Sequence, residues 1–295
     1  MASIEANGIT IEYEQVGDPA GEPLLLVMGL GGQLVDWPPE FVEQLAAAGF
    51  HVTIYDNRDI GLSTEFDWEP PSQAKTILKS IGKRPIDAGY TLVDMARDAA
   101  ELLDALDIES AHVVGMSMGG MIAQQLTIDR PERVRSLTSI MSHPGDGKSG
   151  RIAGKVMAKM ARRPVPTPET APDMSVQLFQ MISGPHLDAE VHRERAVASV
   201  ARSFRPAGVA RQTAAIMASP DRTRGLHSVT VPTLVIHGLV DTLVKPSGGV
   251  ATANAVPHSR LLMFPDMGHD LPRPRWAEMI GEIRENANRA APVTV

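Results

Sequence analysis

The sequence predicts an α/β architecture: a mostly parallel sheet flanked by helices and interrupted late in the chain by a helical insertion. Three observations predict it. Short apolar runs of strand length alternate with helical patterns, which is the mark of successive βαβ units. One of these runs, Leu24–Met28, is apolar throughout and ends in glycines, as expected of a strand buried on both faces. The alternation then stops between Asp146 and Leu226, where only helical patterns occur.

Ile4–Ala6 and Ile9–Val16 flank Asn7-Gly8, a dipeptide suited to a tight hairpin, and read as two antiparallel strands. After Leu24–Met28 comes a helix over Phe41–Ala48, closed by Gly49, and then a strand over His51–Tyr55. Leu92, Met95, Ala99, Leu102, Leu103 and Leu106 recur at helical spacing within Thr91–Leu106. A strand at Ala111–Val114, a helix at Met118–Asp129 and a strand at Val134–Met141 follow. Beyond the insertion lie strands at Val231–His237 and Arg260–Phe264 and a closing helix over Arg275–Asn286. Residues 1–145 and 227–295 are therefore expected to form the core, and residues 146–226 a helical cap.

Composition narrows the chemistry. The 295 residues suffice for one large domain, and the formal net charge of −7 argues against nucleic-acid binding. With no cysteine, thiolate nucleophiles, thiolate metal sites and disulfides are excluded together. His51, His186, His192, His227 and His258 show no metal-ligand spacing, so no metal is expected. The amino terminus lacks a basic and an apolar region, and no run is long enough to span a bilayer. A cytoplasmic protein without membrane attachment is the expectation. Charge is uneven: residues 146–226 carry +6 and the remainder −13. Two accounts fit this: steering of anionic substrates, and solvated helix faces with charges that help the two parts dock.

Gly115-Met116-Ser117-Met118-Gly119 matches G-x-S-x-G, and its setting between a strand and a helix is what a nucleophile elbow requires. A serine hydroxyl needs a base to take its proton and an acid to orient that base. Asp241 lies just past the strand Val231–His237, and His269 just past Arg260–Phe264. The order Ser117, Asp241, His269 is that of the strand–turn–helix hydrolases. Asp266 and Asp270, too near His269 in sequence to orient it, are expected to shape the turn. The oxyanion donors are expected to be the backbone N–H of Met118 and of Leu30, the latter in Gly29-Leu30-Gly31-Gly32. Gly29, Trp37, His143, Met160, Phe179, Met181 and Met217 are expected around the substrate, although methionines at helical spacing serve equally well as core. His112 and His237 are expected to be packed strand-end residues. Arg58 is expected to pair with Asp56 or Asp59 and brace the loop beside the elbow.

Leu24–Gly29, Tyr55–Thr64, Gly115–Gly120 and Pro232–Gly238 together resemble the α/β-hydrolases with a helical cap, and among them small bacterial carboxylesterases similar to aclacinomycin methylesterase. The resemblance implies an eight-stranded, mostly parallel sheet, Ser117, Asp241 and His269 in the triad positions, and no cofactor. The sequence departs from the commoner pattern at Met28-Gly29, where many relatives carry His-Gly, so the usual brace of the oxyanion loop is missing. The function expected is hydrolysis of a small-molecule carboxylic ester through an acyl-enzyme. Lactone hydrolysis (for example of an acyl-homoserine lactone), cofactor-free haloperoxidase or perhydrolase chemistry and carbon–carbon bond hydrolysis share the scaffold, and a non-catalytic receptor is the remote alternative. Dehalogenase and epoxide hydrolase chemistry is disfavoured, since those relatives place Asp where Ser117 stands.

Overall fold

A computed structural model describes residues 1–70 and 86–290. Its strands are β1 (Ala2–Ala6), β2 (Ile9–Val16), β3 (Glu22–Val27), β4 (Phe50–Tyr55), β5 (Ala111–Met116), β6 (Val134–Ile140), β7 (Thr233–Gly238) and β8 (Arg260–Phe264). They form one eight-stranded sheet in the order β1-β2-β4-β3-β5-β6-β7-β8. β1 and β2 are antiparallel to their neighbours, and every pairing from β4 to β8 is parallel. Parallel strands need crossover helices, which cover both faces and explain why β5 and β7 are almost wholly apolar and buried.

On one face pack α2 (Leu92–Ala105) and α3 (Met118–Asp129). The other face is covered by α1 (Pro39–Ala47) and, at the end of the chain, α10 (Trp276–Asn288). α2 starts sharply because Thr91 accepts from the Val93 N–H while Asp94 accepts from the Thr91 N–H at 2.7 Å.

Between β6 and β7 the described residues form five helices and no strand: α4 (Gly154–Met160), α5 (Ala171–Ile182), α6 (Ala189–Arg202), α7 (Pro206–Ala218) and the short α8 (Thr223–Leu226). Arg222, buried at 4 % exposure, ties both ends of this segment by donating to the carbonyls of Pro144 and His143. Part of the segment's positive charge is used in docking. Arg202 pairs with Asp56 at 2.7 Å, Arg211 with Asp59 at 2.8 Å, and Arg205 with Glu65 at 3.4 Å.

Two sequence expectations need correction here. Arg58 pairs with neither Asp56 nor Asp59. Its guanidinium reaches Asp98 of α2 through two bonds of 2.6 Å, because both nearer carboxylates are already engaged. Asp56 accepts from Leu34 N–H and Leu62 N–H, and Asp59 from Phe66 N–H and the Tyr90 hydroxyl. The helix α9 (Ser247–Ala255) is not predicted by the sequence, since Gly248 and Gly249 are weak helix formers. Packing explains it: a Cβ at Gly249 would lie 2.6 Å from His237 Nδ1, so only a small residue lets α9 lie this close to β7.

His112, the second residue of β5, is 2 % exposed, with Nδ1 2.8 Å from Ser136 Oγ and Nε2 3.0 Å from the Glu22 carboxylate. Neutral imidazole satisfies both contacts, accepting at Nδ1 and donating at Nε2. Burial pushes its pKa down from 6.5 to about 4. A depressed folded-state pKa means that the unfolded chain takes up the proton first, so the stability present above about 6.5 is lost as the pH falls toward 4. Urea unfolding at pH 7.5 and 4.5 is expected to show His112→Gln losing less stability on acidification than the wild type, by of order 2–3 kcal/mol. Parallel losses in the two proteins would remove His112 from the acid response.

Candidate active site

The strand β5 delivers the chain to Ser117 on a turn that few side chains tolerate. Ser117 itself has φ 56° and ψ −118°, a conformation costing on the order of 1–3 kcal/mol. Room for the turn comes from the flanking glycines. A Cβ at Gly115 would strike the Gly119 carbonyl, and one at Gly119 would strike the Val27 carbonyl of β3. The bend makes Ser117 the residue that caps α3, whose first N–H groups have no partner within the helix.

Two loops meet it there. His269 Nε2 lies 2.9 Å from Ser117 Oγ, and His269 Nδ1 lies 2.8 Å from Asp241 Oδ2. The other Asp241 oxygen accepts from Leu243 N–H and Val244 N–H, each at 2.9 Å, so the carboxyl group cannot rotate freely. His237 Nε2 donates to the Val244 carbonyl at 2.7 Å and also stands 3.6 Å from Asp241 Oδ2. Burial lowers the His237 pKa, which favours the neutral ring. Both loops are secured from α5. The His269 N–H donates to the Ile182 carbonyl at 2.7 Å, and Thr242 Oγ1 donates to the Met181 carbonyl at 3.0 Å. Asp270 accepts from the Gly268 N–H and Asp266 pairs with Arg275, each in the turn that carries His269.

The loop after β3 passes directly over the serine: a Cβ at Gly29 would lie 3.3 Å from Ser117 Cβ and 3.9 Å from its Oγ. Leu30 is 41 % exposed and next to it, and the Met118 N–H begins α3. The residues expected around the substrate divide. Trp37 is core, 1 % exposed and stacked on Phe41 with 6.2 Å between ring centroids. The Met118 side chain is likewise wholly buried, in the core on the α2 and α3 side of the sheet. His143 is turned into the neck of the insertion, where its Nδ1 accepts from the Gly145 N–H at 3.0 Å and burial pushes its pKa down to about 4. Phe179 packs on His192 of α6, 4.1 Å between centroids. Met160 and Met181 are half-buried, and Met217 is 36 % exposed on α7.

Sequence reasoning does not single out Asn57, which donates to the Met28 carbonyl at 3.1 Å, or Gln212, which accepts from the Gly31 N–H at 2.9 Å, and it reads His237 as a packed strand-end residue and not as a neighbour of Asp241. Asn57 sits in a segment whose density of polar residues is visible but reads as bracing alone. Gln212 carries no signal, because a glutamine within a helix is unremarkable until its partners are known.

The sequence matches the alpha/beta hydrolase fold family over residues 22–272, and the chain belongs to that family. It is 30 % identical to rhodomycin D methylesterase DauP of Streptomyces sp. (strain C5), across 91 % of this chain and 92 % of that protein. It is 31 % identical to rhodomycin D methylesterase DnrP of Streptomyces peucetius, across 90 % of each. Among solved structures, the enol-lactonase from Burkholderia xenovorans LB400 superposes with a TM-score of 0.72 over 98 % of this chain and 100 % of that one; at 20 % identity the likeness is one of fold. No helix among the described residues is long and apolar enough to cross a membrane.

Proposed function

We propose that this chain is a serine esterase in which Ser117, His269 and Asp241 form and break an acyl-enzyme. That it acts on ester bonds follows from its family and from methylesterase relatives over nearly its full length. The residues and the order of steps are our reading, and one observation carries it: an unbroken hydrogen-bonded chain from Asp241 through His269 to Ser117, at 2.8 and 2.9 Å.

The steps follow from that chain. As Ser117 Oγ attacks the ester carbonyl carbon, His269 Nε2 takes its proton, and Asp241 holds Nδ1–H and offsets the imidazolium charge. The carbonyl oxygen becomes an oxyanion facing Leu30 N–H and Met118 N–H. Collapse expels the alkoxide, which receives the proton from Nε2 and leaves as the alcohol. Water then repeats the sequence, with Nε2 as base, and frees the acid. The methylesterase relatives favour a methyl ester as the first substrate to try, with residues 146–226 as a cap over the acyl pocket.

On mixing with a p-nitrophenyl ester, a burst of p-nitrophenolate equal to the enzyme concentration is expected before the steady state. A fluorophosphonate is expected to label the peptide containing Ser117 once per chain. Methyl esters and lactones tested alongside define the leaving group. Turnover without a burst and without labelling at Ser117 would rule out the acyl-enzyme.

A further inference from the structure

We propose that Gln212 of α7, together with Asn57, positions the oxyanion donor Leu30 N–H, in place of the histidine that many relatives carry before Gly29. The inference rests on the esterase reading above and assigns a part of its machinery to a helix of the inserted segment.

Three consecutive peptides make up the loop. The Met28 carbonyl accepts from Asn57 Nδ2 at 3.1 Å. The Gly31 N–H donates to Gln212 Oε1 at 2.9 Å. The peptide between these two carries the Leu30 N–H, which donates to no protein acceptor among the described residues. Its carbonyl, on Gly29, accepts from the Gly32 N–H at 3.2 Å and closes a turn in which Gly31 has φ +71°. Because a trans peptide is planar, tying the Gly29 carbonyl on one side directs the Leu30 N–H to the other. A positive φ at the third position is the mark of a turn whose central peptide is flipped relative to the commoner form. Gln212 selects this form by accepting the very N–H that the flip presents.

Gln212 is built for that single task. It is wholly buried, and its amide orientation is set by its partners: Oε1 meets an N–H, while Nε2 donates to the Arg58 carbonyl at 2.9 Å. Arg58 is anchored in turn by Asp98, and Asn57 is its neighbour. α7 lies against this segment closely enough that a Cβ at Gly208 would strike the Asp59 carbonyl, and one at Gly31 would touch Val209 at 3.1 Å. Without the acceptor, the Gly31 N–H must find another partner, and the turn that aims Leu30 loosens with it.

The test compares Gln212→Leu and Gln212→Glu with the wild type on a p-nitrophenyl ester, with kcat referred to active sites counted by fluorophosphonate. Gln212→Leu is expected to lower kcat by about 10- to 100-fold with KM changed less than about threefold, the pattern of a lost transition-state contact. A trifluoromethyl ketone, which forms an oxyanion on Ser117, is expected to bind more weakly by a matching factor. Gln212→Glu keeps an acceptor at the right place and is expected to recover kcat to within a few-fold. Should Gln212→Leu be recovered unfolded, Gln212→Met, nearer in shape, carries the same expectation. Wild-type kcat per active site in the apolar variants, or a Glu variant no better than them, overturns the proposal and leaves the esterase reading standing. A wild type that neither turns over esters nor takes the label overturns both.

Discussion

Ser117→Ala is expected to reduce kcat on any ester by about a million-fold while leaving the protein folded. The size of the loss follows from how the site is organised. Removing Oγ leaves His269 with no nucleophile to deprotonate and removes the acyl-enzyme route, so the proposed base and acid lose their purpose together. Residual turnover should come only from water attacking a carbonyl still polarised by Leu30 and Met118 N–H. Folding should be spared, since the alanine Cβ occupies the space of the serine Cβ and the turn is held by backbone: the residue 117 N–H donates to the Ile140 carbonyl at 2.9 Å. Unchanged circular dichroism and melting temperature, with kcat measured against an enzyme-free control, check both halves. Activity within tenfold of the wild type would remove Ser117 from the chemistry.

The difference between what is legible in the sequence and what is not has a physical pattern. Strands buried on both faces announce themselves as continuous apolar runs, so β3, β5 and β7 are visible, and with them the places where Ser117 and Asp241 leave the sheet, while His269 follows the short edge strand β8. Periodicity reports one element at a time. Partnerships between elements are outside its reach, which is why Arg58 reads as paired with acids beside it in sequence when its partner, Asp98, is 40 residues away on α2. Trp37 fails for a related reason. Its position near the loop after β3 suggests the pocket, but an indole following the short turn at Leu34–Asp36 fills core volume against Phe41, whose ring in turn meets Trp276 edge-on. The helix α9 is hidden because tertiary packing against His237 outweighs its poor helix propensity.

The uneven charge of the chain resolves in the same way. Of the two accounts open at the level of sequence, docking has named partners: Arg202, Arg205 and Arg211 each meet a carboxylate of the segment between β4 and α2. That segment also supplies Asn57 to the oxyanion loop and the Arg58 carbonyl to Gln212. The inserted helices are thereby fastened to the segment that holds the loop passing over Ser117. On the proposed reading, displacing them would weaken catalysis as well as substrate binding.

Asp241→Asn is expected to lower kcat by roughly ten-thousand-fold, although the change is a single isosteric atom. The direction of the asparagine amide decides this. In the wild type, one carboxylate oxygen accepts from Leu243 and Val244 N–H, and the other accepts from His269 Nδ1 with the His237 Nε2 3.6 Å away. An asparagine must place its carbonyl toward the two backbone donors, because an NH2 there would face N–H groups at 2.9 Å. Its NH2 then points at His269, whose Nδ1 can meet it only as an acceptor. The imidazole proton is driven to Nε2, where it faces Ser117 and blocks the proton transfer that starts the reaction. KM for the ester should change little, since no substrate contact is lost, and reaction with the fluorophosphonate should slow in proportion to kcat because it needs the same proton transfer. A variant that keeps its labelling rate while losing turnover would show that Asp241 acts after acylation, and would break the proposed relay at its first link.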